Sequence, residues 1–388
     1  MHIYIISFLL TILLIWIAKS KAKSRKAKII LLILAAVPMF LVSALRYNVG
    51  TDYGKRYVLD YTMLQNGEEV TNLEIGFKLI DYICLLFTTE PDLLFIVTSL
   101  IIISIFFEVI YKKSSNPILS VIIFFLGGYF FGTLNLVRQY IAIGFILLGY
   151  QFLTGKNTKK GYILFAICAV IAFLMHSSSI VCFVIMFLTH KNLINVKWVL
   201  PVSILILILN KNIMLVLSPI LENTRFNVYL TGKFAQGDLS IITIVENLVI
   251  YVLMSVIYYY KKKNNESLDR EGITLLNIQG IALLLNVSGV VHTHFMRIMA
   301  YFSIFQILSI PYFFKIINYK NLAQKINNKL NKNITDKAVK TITYICIVIG
   351  FTTIFAYTNI LNNDNGVLPY TTIFEKENSK PSILLRKG

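Results

Sequence analysis

Long apolar runs limit what this chain can fold into more than any other feature. They repeatedly reach the roughly 20 residues that a helix needs to cross about 30 Å of hydrocarbon. Hydrophobic residues make up 56% of the 388 residues and charged residues only 14%, so a soluble protein with this surface would aggregate. No Pro/Gly/Ser-rich linker and no internal repeat divides the sequence. We therefore predict an all-α fold, a polytopic integral membrane helix bundle that forms one domain over residues 1–388.

The apolar runs predict about twelve transmembrane helices, and the basic residues set their orientation. Most of the 37 Lys and Arg residues fall in loops between alternate runs, which is the positive-inside pattern of cytoplasmic loops. The N-terminus is then outside, and its charges follow the first apolar stretch, unlike those of a signal peptide. The predicted spans are 2–18, 29–45, 93–111, 117–134, 136–153, 161–175, 177–190, 197–213, 239–260, 272–291, 293–314 and 340–358. The outer face collects loops at about 46–92, 211–238 and 292–297 and the tail 359–388.

The segment from Leu73 to Phe87 is apolar, but this topology does not count it as a span. It carries Glu74, Lys78 and Asp81, and counting it would place every later lysine cluster outside the cell. We predict a re-entrant or surface-lying amphipathic helix at this position.

The net charge of +18 does not predict a nucleic-acid partner, because the basic residues cluster in short loops without interleaved aromatic side chains. The run from Lys315 to Lys340 is expected to lie against anionic lipid headgroups instead. The four cysteines stand in apolar segments without Cys-x-x-Cys spacing, so neither a disulfide framework nor a zinc site is predicted. His292 and His294 lack the i, i+4 spacing of a helical metal pair.

Arg138 interrupts an apolar stretch from Val121 to Leu153, together with Asn135 and Gln139. An ionisable side chain in a membrane segment costs at least ~2.5 kcal/mol even on lenient insertion scales. Such residues tend to face a water-filled cavity or a partner. We therefore expect Arg138 to mark the functional site.

Further polar residues collect on the predicted outer face. The first loop contains Arg46, which by itself could equally be a snorkelling interface residue. Thr51 or Asp52 could cap a following helix. His176 stands in a short turn before three serines, where a histidine is more often a hydrogen-bonded turn residue than a catalyst.

In their order along the chain, these residues resemble the EpsG-like family of bacterial exopolysaccharide and capsule polymerases, which is similar in role to the Wzy-type polymerases. The matching motifs are Arg46-Tyr47-x-Val49-Gly50-Thr51-Asp52-Tyr53, Glu74-x-Gly76-Phe77, Asn135-x-x-Arg138-Gln139-x-x-Ala142, His176-Ser177 and Pro369-Tyr370. The region 191–340 contributes little to the resemblance. The family implies a membrane glycosyltransferase that joins oligosaccharide repeat units carried on undecaprenyl diphosphate, at the outer face of the bacterial cytoplasmic membrane.

That reaction needs cationic ligands for a diphosphate group. Breaking a glycosyl-diphosphate bond leaves negative charge on phosphate oxygens, which a planar guanidinium can bind in a bidentate manner. Arg138 and Arg46 are the predicted ligands, and Arg297 and Arg225 are further candidates on the outer face. No paired-carboxylate motif is present in the outer loops, so we expect arginine to replace a divalent metal and we predict no cofactor.

The attacking sugar hydroxyl must also lose a proton, which requires a carboxylate or an imidazole within hydrogen-bond reach. The candidates are, in order, Asp52, His176 and Glu74. The residues expected to bind sugar hydroxyls are Gln139, Asn135 and Tyr53. Besides the lipid-linked substrate and the membrane lipids, a flippase and a chain-length regulator are the expected partners.

Three other functions fit parts of the sequence. A transporter or flippase of lipid-linked oligosaccharides would use Arg138 as a substrate or counter-ion site, but it should show repeat symmetry and polar residues reaching both faces. A membrane acyltransferase would use histidines at the inner or middle part of the membrane. A non-catalytic partner of an assembly complex would not need Arg138 in a hydrophobic segment.

Overall fold

The computed structural model is helical, as the sequence predicts. It describes residues 1–155, 158–222, 240–292, 294–331 and 333–378. Within these ranges, extended pairing is limited to one isolated antiparallel bridge between Arg46 and Thr372. The chain forms two compact units: Met1–Ile180 with the segment from Phe351 onward, and Val181–Gly350. The prediction of a single domain remains a prediction.

The first unit contains the N-terminal helices and most of the residues that the sequence marks as functional. A π-helical turn over Tyr53–Val58 follows the second helix, and a 3-10 helix over Ser177–Leu188 begins in this unit. The α-helices are α1 (His2–Ser20), α2 (Arg25–Ala44), α3 (Leu59–Gln65), α4 (Ile75–Leu85), α5 (Asp92–Lys113), α6 (Pro117–Leu126), α7 (Tyr129–Asn135), α8 (Val137–Leu153) and α9 (Thr158–Met175).

The second unit holds its helices together partly through buried amides. Gln306 donates to Asn247 at 3.2 Å, and Asn286 donates to the carbonyl oxygen of Thr243 at 2.9 Å, the kind of polar contact that links helices in membranes. Its helices are α10 (Val196–Glu222), α11 (Ile241–Lys263), α12 (Arg270–Ser288), α13 (His294–Ser303), α14 (Gln306–Ile316), α15 (Tyr319–Leu330) and α16 (Asp336–Phe355), whose last turn reaches the first unit.

By the length and composition of their helices, fewer segments qualify as membrane spans than the sequence predicts. In the described residues six helices qualify, namely α1, α2, α5, α11, α12 and the continuous stretch Asp336–Leu361. Two bent pairs, α6 with α7 and α13 with α14, bring the number to eight if each is one span. Every predicted span overlaps a helix, but several of these helices are shorter than a membrane crossing requires. A multi-pass membrane protein is confirmed, and the number twelve stays a prediction.

The chain breaks twice before Arg138, so this residue is not in the middle of a span. Gly128 has a φ of +77°, and the axis turns by 54° between α6 and α7. Gly128, which forms a small-xxx-small pair with Gly132 in the sequence, makes this turn, and a Cβ there would lie 3.2 Å from the side-chain nitrogen of Asn359. Leu136, with φ −95° and ψ 54°, separates α7 from α8. Arg138 is therefore the second residue of α8.

Helix α4 occupies the segment that the sequence predicts to be a non-spanning helix. Its 11 residues extend roughly 16 Å, about half of a membrane crossing. It buries Phe77 and Asp81 and exposes Leu79 and Ile75. The helix is confirmed, and its re-entrant or surface position stays a prediction.

The C-terminal segment lies along the first loop. The backbone N–H of Tyr47 donates to Thr371, and that of Gly50 donates to Gly366, each at 2.9 Å. The Tyr370 hydroxyl donates to the carbonyl oxygen of Val42 at 3.0 Å. Two motifs more than 300 residues apart therefore pack against each other.

Candidate active site around Glu74

The hairpin of α8 and α9 places Arg138 beside His176. The two helices run antiparallel in close contact: a Cβ at Gly149 would lie 3.0 Å from the Cβ of Cys168. Arg138 is near the start of α8, and His176 immediately follows the end of α9. Because the helices are of similar length and antiparallel, these two residues lie at the same end of the hairpin.

Gly76 brings a third residue to this end. Helix α4 packs so closely on the last turn of α9 that a Cβ at position 76 would lie 2.7 Å from the carbonyl oxygen of Leu174. Only glycine allows this approach without displacement of the backbone. Glu74 directly precedes α4 and is thereby carried between the ends of α8 and α9.

Glu74 joins Arg138 to His176. Its Oε2 accepts a hydrogen bond from Arg138 Nη1 at 2.9 Å, and its Oε1 lies 2.8 Å from His176 Nδ1. The backbone N–H of Ser177 also donates to Oε1, at 3.3 Å. The side chains of Arg138, Glu74 and His176 are 12%, 15% and 23% exposed. The three groups are thus largely desolvated but still reachable by a ligand.

These contacts keep Glu74 ionised. Burial by itself would raise the pKa of the carboxyl, but the hydrogen bond to His176 and the charge of Arg138 outweigh it and lower the pKa to about 2. An ionised carboxylate can only accept hydrogen bonds, so the hydrogen between Glu74 and His176 belongs to Nδ1. In the neutral imidazole, Nε2 then carries the lone pair.

Asn135 organises the glycine-threonine-aspartate loop. Its Oδ1 accepts from the Thr51 hydroxyl at 2.8 Å and from the backbone N–H of Asp52 at 3.0 Å. Gly50, with φ +105°, allows the loop to approach so closely that a Cβ there would lie 2.5 Å from the carbonyl oxygen of Leu134. Asp52 is half-buried at the start of the π-helical turn, where its side chain makes no capping hydrogen bond.

Arg46 and Tyr53 lie deeper in the first unit. Arg46 is 1% exposed, donates to the carbonyl oxygen of Ser43 and to the Ser99 hydroxyl, the latter at 3.2 Å, and lies over the ring of Phe95. Tyr53 stacks on the same ring, with its centroid 4.2 Å from that of Phe95. Their predicted contacts with phosphate and sugar remain predictions.

Three predicted residues remain, namely Gln139, Arg297 and Arg225. Gln139 is buried in α8, and Arg297 belongs to α13 in the second unit. Arg225 lies outside the described residues. The first unit contains two contact groups: Glu74 with Arg138 and His176, and Asn135 with Asp52.

Two contributors to the site, Arg56 and the carbonyl oxygen of Asn72, are not predicted from the sequence. Arg56 donates through Nη2 to the carbonyl oxygen of Asn72 at 3.2 Å, and Arg138 donates to the same oxygen at 3.3 Å. The i, i+4 spacing of Arg56 and Asp60 predicts a helical ion pair, and the two side chains are 3.4 Å apart. Nothing in the sequence connects that pair to Arg138.

In the described part of the chain, no three His, Cys, Asp or Glu side chains converge where a metal ion could be held. The predicted independence of a metal is not tested by this observation. The prediction rests on the sequence alone.

The helices and the charged cluster define the class: a multi-pass, all-helical membrane protein with an arginine-carboxylate-histidine site in its first unit. The chain belongs to the EpsG family, whose model matches residues 29–372. This match confirms the predicted family. Membership indicates a role as a polysaccharide polymerase. No curated protein and no solved structure matches the chain.

Proposed function

We propose that this protein polymerises oligosaccharide repeat units carried on undecaprenyl diphosphate, at the outer face of the bacterial cytoplasmic membrane, in exopolysaccharide or capsule biosynthesis. The observation that carries the proposal is the chain of contacts from Arg138 through Glu74 to His176. It combines a cation for phosphate with a base for a hydroxyl group, the two functions that glycosyl transfer from a diphosphate requires.

Arg138 is the proposed ligand of the phosphate next to the sugar. Its two hydrogen bonds within the described residues both leave from Nη1, so Nη2 and Nε are available to phosphate oxygens. Position two of α8 adds the positive end of a helix dipole, which favours an anion at this point. Arginine then supplies the positive charge that a divalent metal provides in other glycosyltransferases.

His176 is the proposed base, with Glu74 as its positioning residue. Because Glu74 holds the hydrogen on Nδ1, Nε2 can accept the proton of the attacking sugar hydroxyl. As the new C–O bond forms, the bond between the anomeric carbon and the phosphate oxygen breaks, and its electron pair stays on the diphosphate. Arg138 stabilises that charge. This assignment places His176 ahead of Asp52, because Glu74 joins His176 to Arg138.

The substitution Arg138→Lys tests the phosphate role. It keeps the charge but cannot reproduce the planar fork, so loss of one charge-assisted hydrogen bond, on the order of 1.5–3 kcal/mol, should lower polymer formation roughly ten- to a hundredfold. Polymer length and membrane abundance are measured together. Full activity of Arg138→Lys would rule out bidentate binding, and loss of the protein from the membrane would make Arg138 a folding residue.

A pair of substitutions tests the base. His176→Asn keeps a donor near Glu74 but removes Nε2, and Asp52→Asn removes only charge. We expect polymer formation to fall by a factor of ~100 or more in His176→Asn, since general-base catalysis supplies ~10²–10⁴, and to change much less in Asp52→Asn. The reverse result would return the role to Asp52.

Deletion of the gene separates this function from that of a flippase. Loss of polymerisation should leave single lipid-linked repeat units accessible at the outer face. Absence of outer-face units, with the units retained inside, would instead identify a flippase and overturn the proposal.

A further inference from the structure

Arg56 stands beside the proposed phosphate ligand, although the proposed mechanism does not use it. It lies in the π-helical turn, and its side chain is 35% exposed. Its Nη2 and the Nη1 of Arg138 are 3.2 and 3.3 Å from the same carbonyl oxygen of Asn72. The two nitrogens therefore lie within about 6.5 Å of each other, which is comparable to the span of a diphosphate group.

The backbone of Asn72 holds this oxygen in place. Its φ of +62° lies in the left-handed region, which asparagine tolerates better than most residues. Asn72 is exposed, and of the two arginine side chains Arg56 is the more exposed, at 35% against 12% for Arg138. Like charges repel at this separation, and an anionic ligand between them would relieve the repulsion.

Each arginine also has a carboxylate partner of its own. Arg138 pairs with Glu74, and Arg56 pairs with Asp60, whose side chain is 8% exposed. Each ion pair orients the guanidinium group of its arginine and leaves some of the five N–H donors of that group unused. The contacts are therefore those of two oriented guanidinium groups that meet at the carbonyl oxygen of Asn72.

We propose that Arg56 binds the lipid-side phosphate of the diphosphate while Arg138 binds the sugar-side phosphate, so that the pair selects a diphosphate over a monophosphate carrier. The inference rests on the proposed function. The assignment of sides follows from His176: the arginine joined to it through Glu74 must face the sugar, whose bond breaks. Arg56, which is more exposed, then faces the lipid end.

The experiment measures binding of undecaprenyl diphosphate and undecaprenyl monophosphate to the purified full-length protein. The variant is Arg56→Gln, and the matched control is Lys55→Gln, which removes the same charge from the exposed neighbouring residue. We expect Arg56→Gln to weaken diphosphate binding about tenfold or more, as for loss of a charge-assisted hydrogen bond, with monophosphate binding unchanged. Lys55→Gln should leave both affinities unchanged.

Equal weakening for both lipids, or no weakening, would overturn the role of Arg56. Arg56→Lys keeps a cation next to Asp60 and guards against a folding defect: it should retain the thermal stability of the wild type but lose part of the preference for the diphosphate. A purely structural ion pair would change stability and leave the ratio of the two affinities constant. If the wild type binds neither lipid, the proposed function itself fails, whereas a wild-type preference that survives in Arg56→Gln defeats the inference alone.

Discussion

Glu74 and His176, 102 positions apart in the chain, are joined by a 2.8 Å contact between Oε1 and Nδ1. The second oxygen of Glu74 is bonded to Arg138, so one carboxylate orients both functional groups. The sequence ranks Glu74 last among three candidate bases. Its position between a cation and an imidazole makes it the residue on which the geometry of the site depends.

Glu74→Gln should therefore lower polymer formation by about a hundredfold or more, because the base loses its orientation and Arg138 its counter-charge. Glu74→Asp is the control that keeps the charge but shortens the side chain, so that it reaches one partner and not both. We expect an intermediate rate from it. Polymer is quantified at matched membrane abundance, and a near-normal rate in Glu74→Gln would contradict the positioning role.

Gly76→Ala should impair the site without changing any polar side chain. The added Cβ would meet the carbonyl oxygen of Leu174 at 2.7 Å, so α4 must move away from α9 and carry Glu74 with it. Polymer formation should fall several-fold or more. Gly350→Ala is the matched control, because a Cβ there meets nothing within 4 Å. Equal rates in the two variants would show that the close approach does not matter for activity.

Asp81 should make the protein less stable as the pH rises. Both of its oxygens are buried without a hydrogen-bond partner in the described residues, and burial, with a further contribution from Asp60, raises its pKa to about 8. An unfolded aspartate titrates near ~3.9. Between these values the folded state binds more protons than the unfolded state, so the free energy of unfolding decreases from about pH 4 to about pH 8.

Asp81→Asn removes this titration, so its thermal unfolding temperature should exceed that of the wild type by an amount that grows with pH. Unfolding of the purified protein in detergent, followed from about pH 5 to about pH 8.5, measures the difference. A constant difference across this range would mean that Asp81 is not protonated in the folded state.

The proposed outer-face site requires a particular topology. Labelling with a membrane-impermeant thiol reagent should modify Glu68→Cys from outside and Lys159→Cys and Asn264→Cys only after the membrane is opened. All three positions are exposed. The background needs Cys346→Ser, because the other three cysteines are buried and Cys346 is exposed. If Glu68→Cys and Lys159→Cys label from the same side, the orientation of α4 or of a neighbouring span is wrong.

Several features of the fold could be predicted because they depend on nearby residues. The length of the apolar runs predicted α1, α2 and α5 as spans. Three charges within an apolar segment predicted that α4 is a helix but is not one of the spans. The break at Gly128, inside the predicted span 117–134, could not be predicted in the same way. Gly127 and Gly128 are compatible with tight helix packing as well as with a turn, and only the backbone conformation distinguishes the two.

The arginines illustrate the same limit. Arg46 and Arg138 are both single cations beside apolar runs, and the sequence gives them the same predicted role. In the structure Arg46 is enclosed by Ser43, Ser99 and Phe95, whereas Arg138 faces Glu74 and Asn72. Burial depends on which helices pack around a residue, and that is not written in its neighbours along the chain.

The sequence by itself therefore determined the membrane class, the helical architecture and the family, because the length of apolar runs and the order of motifs are properties of the linear chain. The tertiary structure decided which polar residues share a site. Glu74 meets Arg138 and His176 across 64 and 102 positions, and it does so because α8 and α9 run antiparallel and Gly76 allows α4 to pack against the end of α9. Contacts over such separations follow from the packing of helices, which the local sequence does not specify.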